Sequence, residues 1–419
     1  MNIAFHCWEF PPTIVGGLGT YAQWITTALA DRGHELYVWT PEHTAWRPSV
    51  PPVDSKCVRV RRVPLFDATP LFPYVISDEL RSWGRFFSDL LVFNLQAAAQ
   101  TRLTEGLEII AIQDWLSGMA GLILAGERRL PVVFHVHSTE WGRQPGGGAP
   151  AVHHFEGALA YAADGIVTVS HAMKEDMAAH GWDASKIFVV WNGVDPERYR
   201  PGAASPEQVA ALRQRYGIAS GDQVIFYIGR LTPVKGALQL VEALPRVFAR
   251  FPAARLVILG VGELEEPIAR RVRELGIQER VTLRYEFVTE DERIAHYALA
   301  DLAVFPSTYE PFGIVCLEAM AMGKPVVVGA RGVVGFREQV ISHGPGQTGL
   351  HVNGHDPADI AWGIGEALRD PARMAQWGAN GRRRVLEHFT WRHAAERTEA
   401  IYQELIDRRQ RRTEKEETR

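Results

Sequence analysis

The residues best suited to chemistry are two carboxylates and two cations. Glu310 and Glu318 stand with seven residues between them in the string FPSTYEPFGIVCLEAMAMGKPVVV, which runs from Phe305 to Val328. Glu310 falls in a loop and Glu318 about two turns inside the helix that follows, so both can point into one cleft. Gly313 between them precedes a run of helix formers, and the free N–H groups of a helix N-terminus favour a phosphate or hydroxyls. Arg230 and Lys235 lie in a second string, Gly229-Arg230-Leu231-Thr232-Pro233-Val234-Lys235-Gly236. A guanidinium fork and an ammonium point charge make a cradle for a diphosphate. The spacing is not that of a Walker A loop. Local alternatives stand beside these readings: Glu310 as a helix cap, Glu318 facing solvent, and the two cations on a surface loop.

The elements that must position these groups follow from the flanking pattern. Leu302 to Phe305 reads as a buried strand, Leu317 to Ala321 as a helix that stops before Gly323, and Val326 to Val328 as the next strand. Val224 to Ile228 is a strand leading into the Arg230 loop, with further strands at Leu256–Leu259 and Val281–Leu283 and a helix over Glu265–Leu275. Both candidate loops thus leave the carboxyl end of a strand, where doubly wound sheets bind ligands.

The first half repeats the rhythm. Asn2–Cys7 reads as a strand, Val15-Gly16-Gly17-Leu18-Gly19-Thr20 as a glycine-rich turn, 21–32 as a helix and 35–40 as a strand. The glycines let backbone approach a ligand, or they only make a tight turn; the pattern is not G-x-G-x-x-G, so no NAD site is expected. Residues 41–75 are proline-rich and irregular apart from a strand at 57–63, and a helix is expected over 78–103. The strand 109–112 ends in Gln113-Asp114-Trp115, a polar group and an indole that could face a sugar ring, or a capping aspartate beside a core tryptophan. The strand 131–136 is followed by His137. His135 and His137 share a face, but no third ligand completes a metal set, and His135 reads as core.

Bulk properties exclude several classes. The chain has 419 residues, a formal net charge of −4 and three cysteines without zinc-like spacing. It carries no broad basic field for nucleic acid, no run of membrane-span length and no signal-peptide pattern at its start, so a cytoplasmic protein of two or three domains is expected. Residues 201–222, rich in proline, alanine and serine around a short charged helix, mark a boundary.

The strings together resemble retaining glycosyltransferases of the GT-B fold: family 4 and the glycogen and starch synthases, above all the short archaeal glycogen synthases. Trp-Glu-x-Pro-Pro before Val-Gly-Gly-Leu-Gly, Asn-Gly-Val-Asp at 192–195, Gly-Arg-x-x-x-x-Lys-Gly and Glu-Pro-Phe-Gly carry the likeness. It implies two Rossmann-like doubly wound α/β domains facing across a cleft. We set these at 1–195 and 196–389, with a helix at about 390–410 packing back on the first domain and a charged tail over 410–419.

The resemblance also implies roles. Glu310 contacts the donor sugar, Glu318 the nucleotide ribose, Arg230 and Lys235 the leaving phosphates, and His137 the sugar's side of the site. Gly16, Gly17, Gly19, Gly229, Phe312, Gly313 and Ile314 complete the donor site, and Asp114 and Trp115 serve the acceptor. Two departures stand out. Gln113 replaces the histidine of a His-Asp-Trp string, and Ile14 and Val15 stand where many starch synthases carry lysine. The implied activity moves glucose from ADP- or UDP-glucose to an α-glucan, with retention and without a metal or other cofactor. Alternatives are a small-acceptor transferase of the trehalose or sucrose-phosphate kind, a nucleotide-sugar epimerase, and a non-catalytic nucleotide-sugar sensor.

Overall fold

The computed structural model describes residues 1–43, 50–144 and 146–417; residues 44–49 of the proline-rich stretch lie outside them. The chain forms two compact units, 1–191 with 391–419, and 192–390.

The first unit is built on a parallel sheet of β1 (Asn2–His6), β2 (Glu35–Pro41), β3 (Val58–Val63), β4 (Ile109–Gln113), β5 (Val132–Val136), β6 (Gly165–Thr168) and β7 (Ile187–Val189). Their order is β3-β2-β1-β4-β5-β6-β7. Every residue of β4, β5 and β6 is buried, as apolar runs covered on both faces require. Between β1 and β4 the strand order reverses, and the crevice at such a reversal is where ligands bind. The helix Trp391–Glu417 belongs to this unit. It is tied in through His135, whose ring nitrogens meet the Tyr21 hydroxyl at 3.2 Å and the Tyr402 hydroxyl at 2.7 Å.

The second unit repeats the plan with β8 (Gln223–Ile228), β9 (Ala254–Leu259), β10 (Val281–Arg284), β11 (Leu302–Phe305), β12 (Val326–Gly329) and β13 (Gly349–Val352). The order β10-β9-β8-β11-β12-β13 places its reversal between β8 and β11. Its core joins Ile225, Leu256, Ile258 and Val304 to Leu240, Val241, Leu244 and Phe248 of the helix Ala237–Arg250.

Four expectations change. The helix expected over 78–103 is two, Asp78–Ser82 and Gly84–Arg102, broken where Gly84 takes φ +54°. The first helix begins at Gly17, so Gly17 and Gly19 lie inside its first turn. The change of unit falls at Trp191–Asn192, ahead of 201–222 and close to the 195/196 division, and the Val194–Thr390 bridge ties the chain after it to the second unit. The charged end is helical through Glu417, since no breaker interrupts it and Arg409 binds the Arg128 carbonyl and pairs with Asp164 at 3.6 Å.

The loop after β11 is clamped by backbone. A Cβ on Gly236, on Gly329 or on Gly354 would collide with the carbonyl oxygen of Pro306 or Ser307, and Gly236 also takes φ +73°. Gly236→Ala should therefore lower the unfolding free energy by about 2 kcal/mol or more. Gly221→Ala, where a Cβ meets nothing within 4 Å, should change it by less than about 0.5 kcal/mol. Urea denaturation of the two variants checks this.

Candidate functional site

In the second unit the sequence-chosen groups come together at the reversal between β8 and β11. The chain leaves β8 through Gly229 and Arg230 and makes a single 3-10 turn, Pro233–Lys235. The Tyr227 hydroxyl, buried beneath, lies 3.3 Å from the Arg230 carbonyl and 3.4 Å from the Lys235 carbonyl. The Thr308 N–H donates to the Val234 carbonyl at 2.8 Å, joining this loop to the one after β11. Glu310 is fixed at both ends, its N–H donating to Val333 at 2.9 Å and its carbonyl accepting from Gly335 at 2.7 Å.

The result is an ion pair: Lys235 Nζ lies 2.6 Å from Glu310 Oε2, and the two side chains are 15% and 11% exposed. Arg230 is exposed in the same loop as Lys235. Gly313 caps the helix Ile314–Ala321 at φ +89°, and a Cβ there would collide with the Phe336 ring. Ile314 is half-buried at the first turn. Phe312 is 2% exposed, so its side chain is core, and its carbonyl accepts from Gln339 Nε2 at 2.7 Å.

Glu318 does not face solvent. It is 3% exposed, accepts from the Tyr297 hydroxyl at 2.8 Å and lies 3.7 Å from Arg293. Arg293 and Tyr297 were not singled out in the sequence; their signal is the i, i+4 spacing on the helix Glu290–Leu299, which puts both on one face. Burial pushes the Tyr297 hydroxyl well above the ordinary tyrosine range, with the Glu318 charge adding to it, so the proton stays on the donor. In the segment after β10, Phe287 is 79% exposed, and the Tyr285 hydroxyl donates to the Glu265 carbonyl at 2.9 Å.

The first unit gathers its own set at the carboxyl ends of β1, β4 and β5. Glu9 Oε2 accepts from the Val15 N–H at 2.9 Å and the Gly16 N–H at 3.0 Å, which holds the glycine turn. Glu9 carried no assigned role in the sequence, although it sits in the Trp-Glu-x-Pro-Pro string. A Cβ on Gly16 or Gly17 would meet nothing within 4 Å, whereas on Gly19 it would lie 2.7 Å from Ile14 Cγ2. Gly19 is thus a packing glycine, and Gly16 and Gly17 keep their side open.

Asp114 takes φ +52°, uncommon outside glycine, at the end of β4. Its carboxylate accepts from the His137 N–H at 2.8 Å, and its own N–H donates to the His135 carbonyl at 2.9 Å. His137 Nε2 lies 3.1 Å from Gln113 Oε1, and its ring centroid is 4.3 Å from that of Tyr21. Burial lowers the His137 pKa from its ordinary value, with Asp114 acting against it. Gln113 is fully buried, and its Nε2 has no partner among the described residues. An unsatisfied buried donor costs about 1–3 kcal/mol. His135, bound at both nitrogens, is a core residue rather than a metal ligand. Trp115 is half-buried, edge-on to Trp83 at 6.0 Å and to Phe86 at 6.3 Å.

In the segment after β5, Glu156 accepts from the Glu140 N–H through both oxygens at 3.1 Å and pairs with Arg143 at 3.0 Å. Arg143 also holds Glu140 at 2.9 Å and the Ser138 carbonyl at 3.0 Å. Burial pushes Glu156 up to about 7, against the pull of Arg143.

Two Rossmann-like units built on parallel sheets, each with its polar groups at the strand-order reversal, define a GT-B protein. Residues 16–193 match the glycosyl transferase 4-like domain, and residues 208–384 match glycosyl transferases group 1. A glycogen synthase of Mycobacterium tuberculosis is 30% identical over 410 residues, covering 96% of this chain and 94% of that protein. A D-inositol 3-phosphate glycosyltransferase of Kineococcus radiotolerans is 30% identical over 416 residues, with 94% and 92% covered. Among solved structures, sucrose-phosphate synthase from Thermosynechococcus elongatus superposes with a TM-score of 0.76 at 26% identity, over 97% of this chain and 99% of that one. The chain belongs to the GT4 glycosyltransferases and is glycogen synthase-like within them. Among the described residues, no helix is long and apolar enough to cross a membrane.

The Glu156 network has a measurable consequence. A carboxyl whose folded pKa is raised binds a proton that the unfolded chain has lost. Its stabilisation is fully present below the unfolded value near 4.5 and is lost as pH rises through about 7. The melting temperature of Glu156→Gln should accordingly fall less between pH 4.5 and 7 than that of the parent. Identical slopes in calorimetry would remove Glu156 as their source.

Proposed function

We propose that the protein is a retaining, metal-independent glucosyltransferase, moving glucose from ADP- or UDP-glucose to an α-glucan. The observation that carries this reading is the Lys235–Glu310 pair, held by backbone at a strand-order reversal, with Arg230 in the Lys235 loop and a helix N-terminus at Gly313. The glycogen synthase-like relatives support glucose as the sugar and a glucan as the acceptor.

In this reading the bond between the anomeric carbon and the diphosphate oxygen breaks through an oxocarbenium-like state. Arg230, Lys235 and the N–H groups after Gly313 hold the charge that develops on the diphosphate, preorganised and costing no rearrangement at that moment. Glu310 accepts from the sugar hydroxyls. The acceptor hydroxyl attacks on the leaving group's face, and its proton passes to the departing diphosphate. Without donor, each partner of the pair keeps the other oriented. Glu318, fixed by Tyr297 and Arg293, serves the ribose. Gly16 and Gly17 leave room for the donor, while Asp114, Trp115 and His137 serve the sugars.

The second reading is a small acceptor, favoured by the likeness to sucrose-phosphate synthase and by Gln113 in place of histidine. Nucleotide release from UDP-, ADP- and GDP-sugars separates the two. Stimulation by glycogen or maltooligosaccharides, with chain lengthening, establishes the glucan reading. Stimulation by glucose or a sugar phosphate establishes the other. Proton NMR of the product should show the α-anomer, and EDTA should leave the rate unchanged.

Glu310→Ala and Lys235→Ala should each lower kcat by roughly a hundredfold or more, the scale of losing one preorganised electrostatic contact. Because the two groups act as a unit, the double variant should be far less impaired than the product of the single losses. Multiplicative losses would separate their roles.

A further inference from the structure

Gln113 ends β4, one residue before the strained Asp114, and its side chain is fully buried. Its Oε1 lies 3.1 Å from His137 Nε2. An amide oxygen can only accept, so this contact requires the imidazole hydrogen on Nε2 and leaves the lone pair on Nδ1.

The other titratable or charged groups facing the ring come from each element packed against it. Asp114 binds the backbone N–H of His137, not its ring. Tyr21, from the helix Gly17–Asp31, lies against the ring and gives its hydroxyl to His135. His135, with ring centroid 6.4 Å away, is kept neutral by burial. Gln113 is thus the group among the described residues that bonds a ring nitrogen of His137. Unlike the histidine of the resembled string, a glutamine does not titrate, so the constraint it imposes holds until His137 itself charges.

We propose that Gln113 is a positioning residue that fixes His137 as the Nε2–H tautomer and so presents Nδ1 as the acceptor for a sugar hydroxyl. Only the identity of that ligand rests on the glycosyltransferase reading; the tautomer is a property of the chain. With the amide turned over, Nε2 of Gln113 would donate to the ring and demand the opposite tautomer, so the two arrangements are separable by spectroscopy.

The test is nitrogen-15 NMR of the full-length protein labelled at histidine, with His137 assigned by the signals lost in His137→Ala. The expected result is a protonated Nε2 and a bare Nδ1 in the parent, and a mixture of tautomers in Gln113→Met. In Gln113→Glu a carboxylate at Nε2 favours the charged ring, so the His137 pKa should rise by about one unit or more. The acid limb of kcat/KM should move to higher pH with it. A protonated Nδ1 in the parent, or an unmoved pKa in Gln113→Glu, overturns the proposal.

Activity is read separately. Gln113→Met should lower kcat/KM about tenfold or more while UDP and ADP affinities stay unchanged, since no second-unit residue is altered. If the tautomer is as expected but Gln113→Met keeps its rate within twofold, the positioning role in transfer is overturned. Absence of transfer in the parent on every donor and acceptor would instead sink the glycosyltransferase reading, with the NMR result standing on its own.

Discussion

The second unit depends on how closely backbone can approach backbone at the carboxyl ends of its strands. The loop after β11 is enclosed by the turn after β8, the end of β12 and the chain after β13, with glycine at each contact. A methyl group at any of these would push a carbonyl away. That close approach lets the Thr308 N–H reach the Val234 carbonyl, and so puts the ammonium of Lys235 against the carboxylate of Glu310. The charged groups of the site therefore inherit their geometry from uncharged atoms.

The first unit solves the same problem with side chains. Its site sits on buried polar groups that satisfy one another: His135 between Tyr21 and Tyr402, Asp114 on the His137 N–H, and Glu156 on the Glu140 N–H. In a low-dielectric interior such bonds are strong, and a missing partner is costly. The chain that passes into the second unit and returns supplies Tyr402 to this network, so the last helix holds His135 of β5. The amide nitrogen of Gln113 stays open in this layer, as do His6 Nδ1 and Ser117 Oγ.

Much of the architecture was legible because parallel strands covered on both faces must be apolar throughout. Val326 to Val328, Leu302 to Phe305 and Val132 to Val136 could be read directly. Helix ends were less legible. Gly84 breaks a pattern whose apolar spacing continues across it, and Gly17 starts a helix two residues before the glycines end. The GT-B family was legible from strings, since Glu310, Gly313, Arg230 and Lys235 stand at fixed spacings in short loops. Roles for Glu9, Arg293 and Glu156 were not, because their partners (the Val15 and Gly16 N–H groups, Glu318 and Arg143) are set by the folded loops and the packing of elements.

Near neighbours in the chain already show which residues end strands, and hence that Glu310, Arg230 and Lys235 lie on loops at strand carboxyl ends and Glu318 in the helix that follows. Local pattern suffices for that, because strand periodicity and glycine placement are properties of near neighbours. The pairings come from the packed fold. Lys235 meets Glu310 across 75 positions of sequence, and His135 meets Tyr402 across 267. Such contacts follow from strand order and from the distance between packed elements, and neither quantity is encoded in any one stretch of the chain.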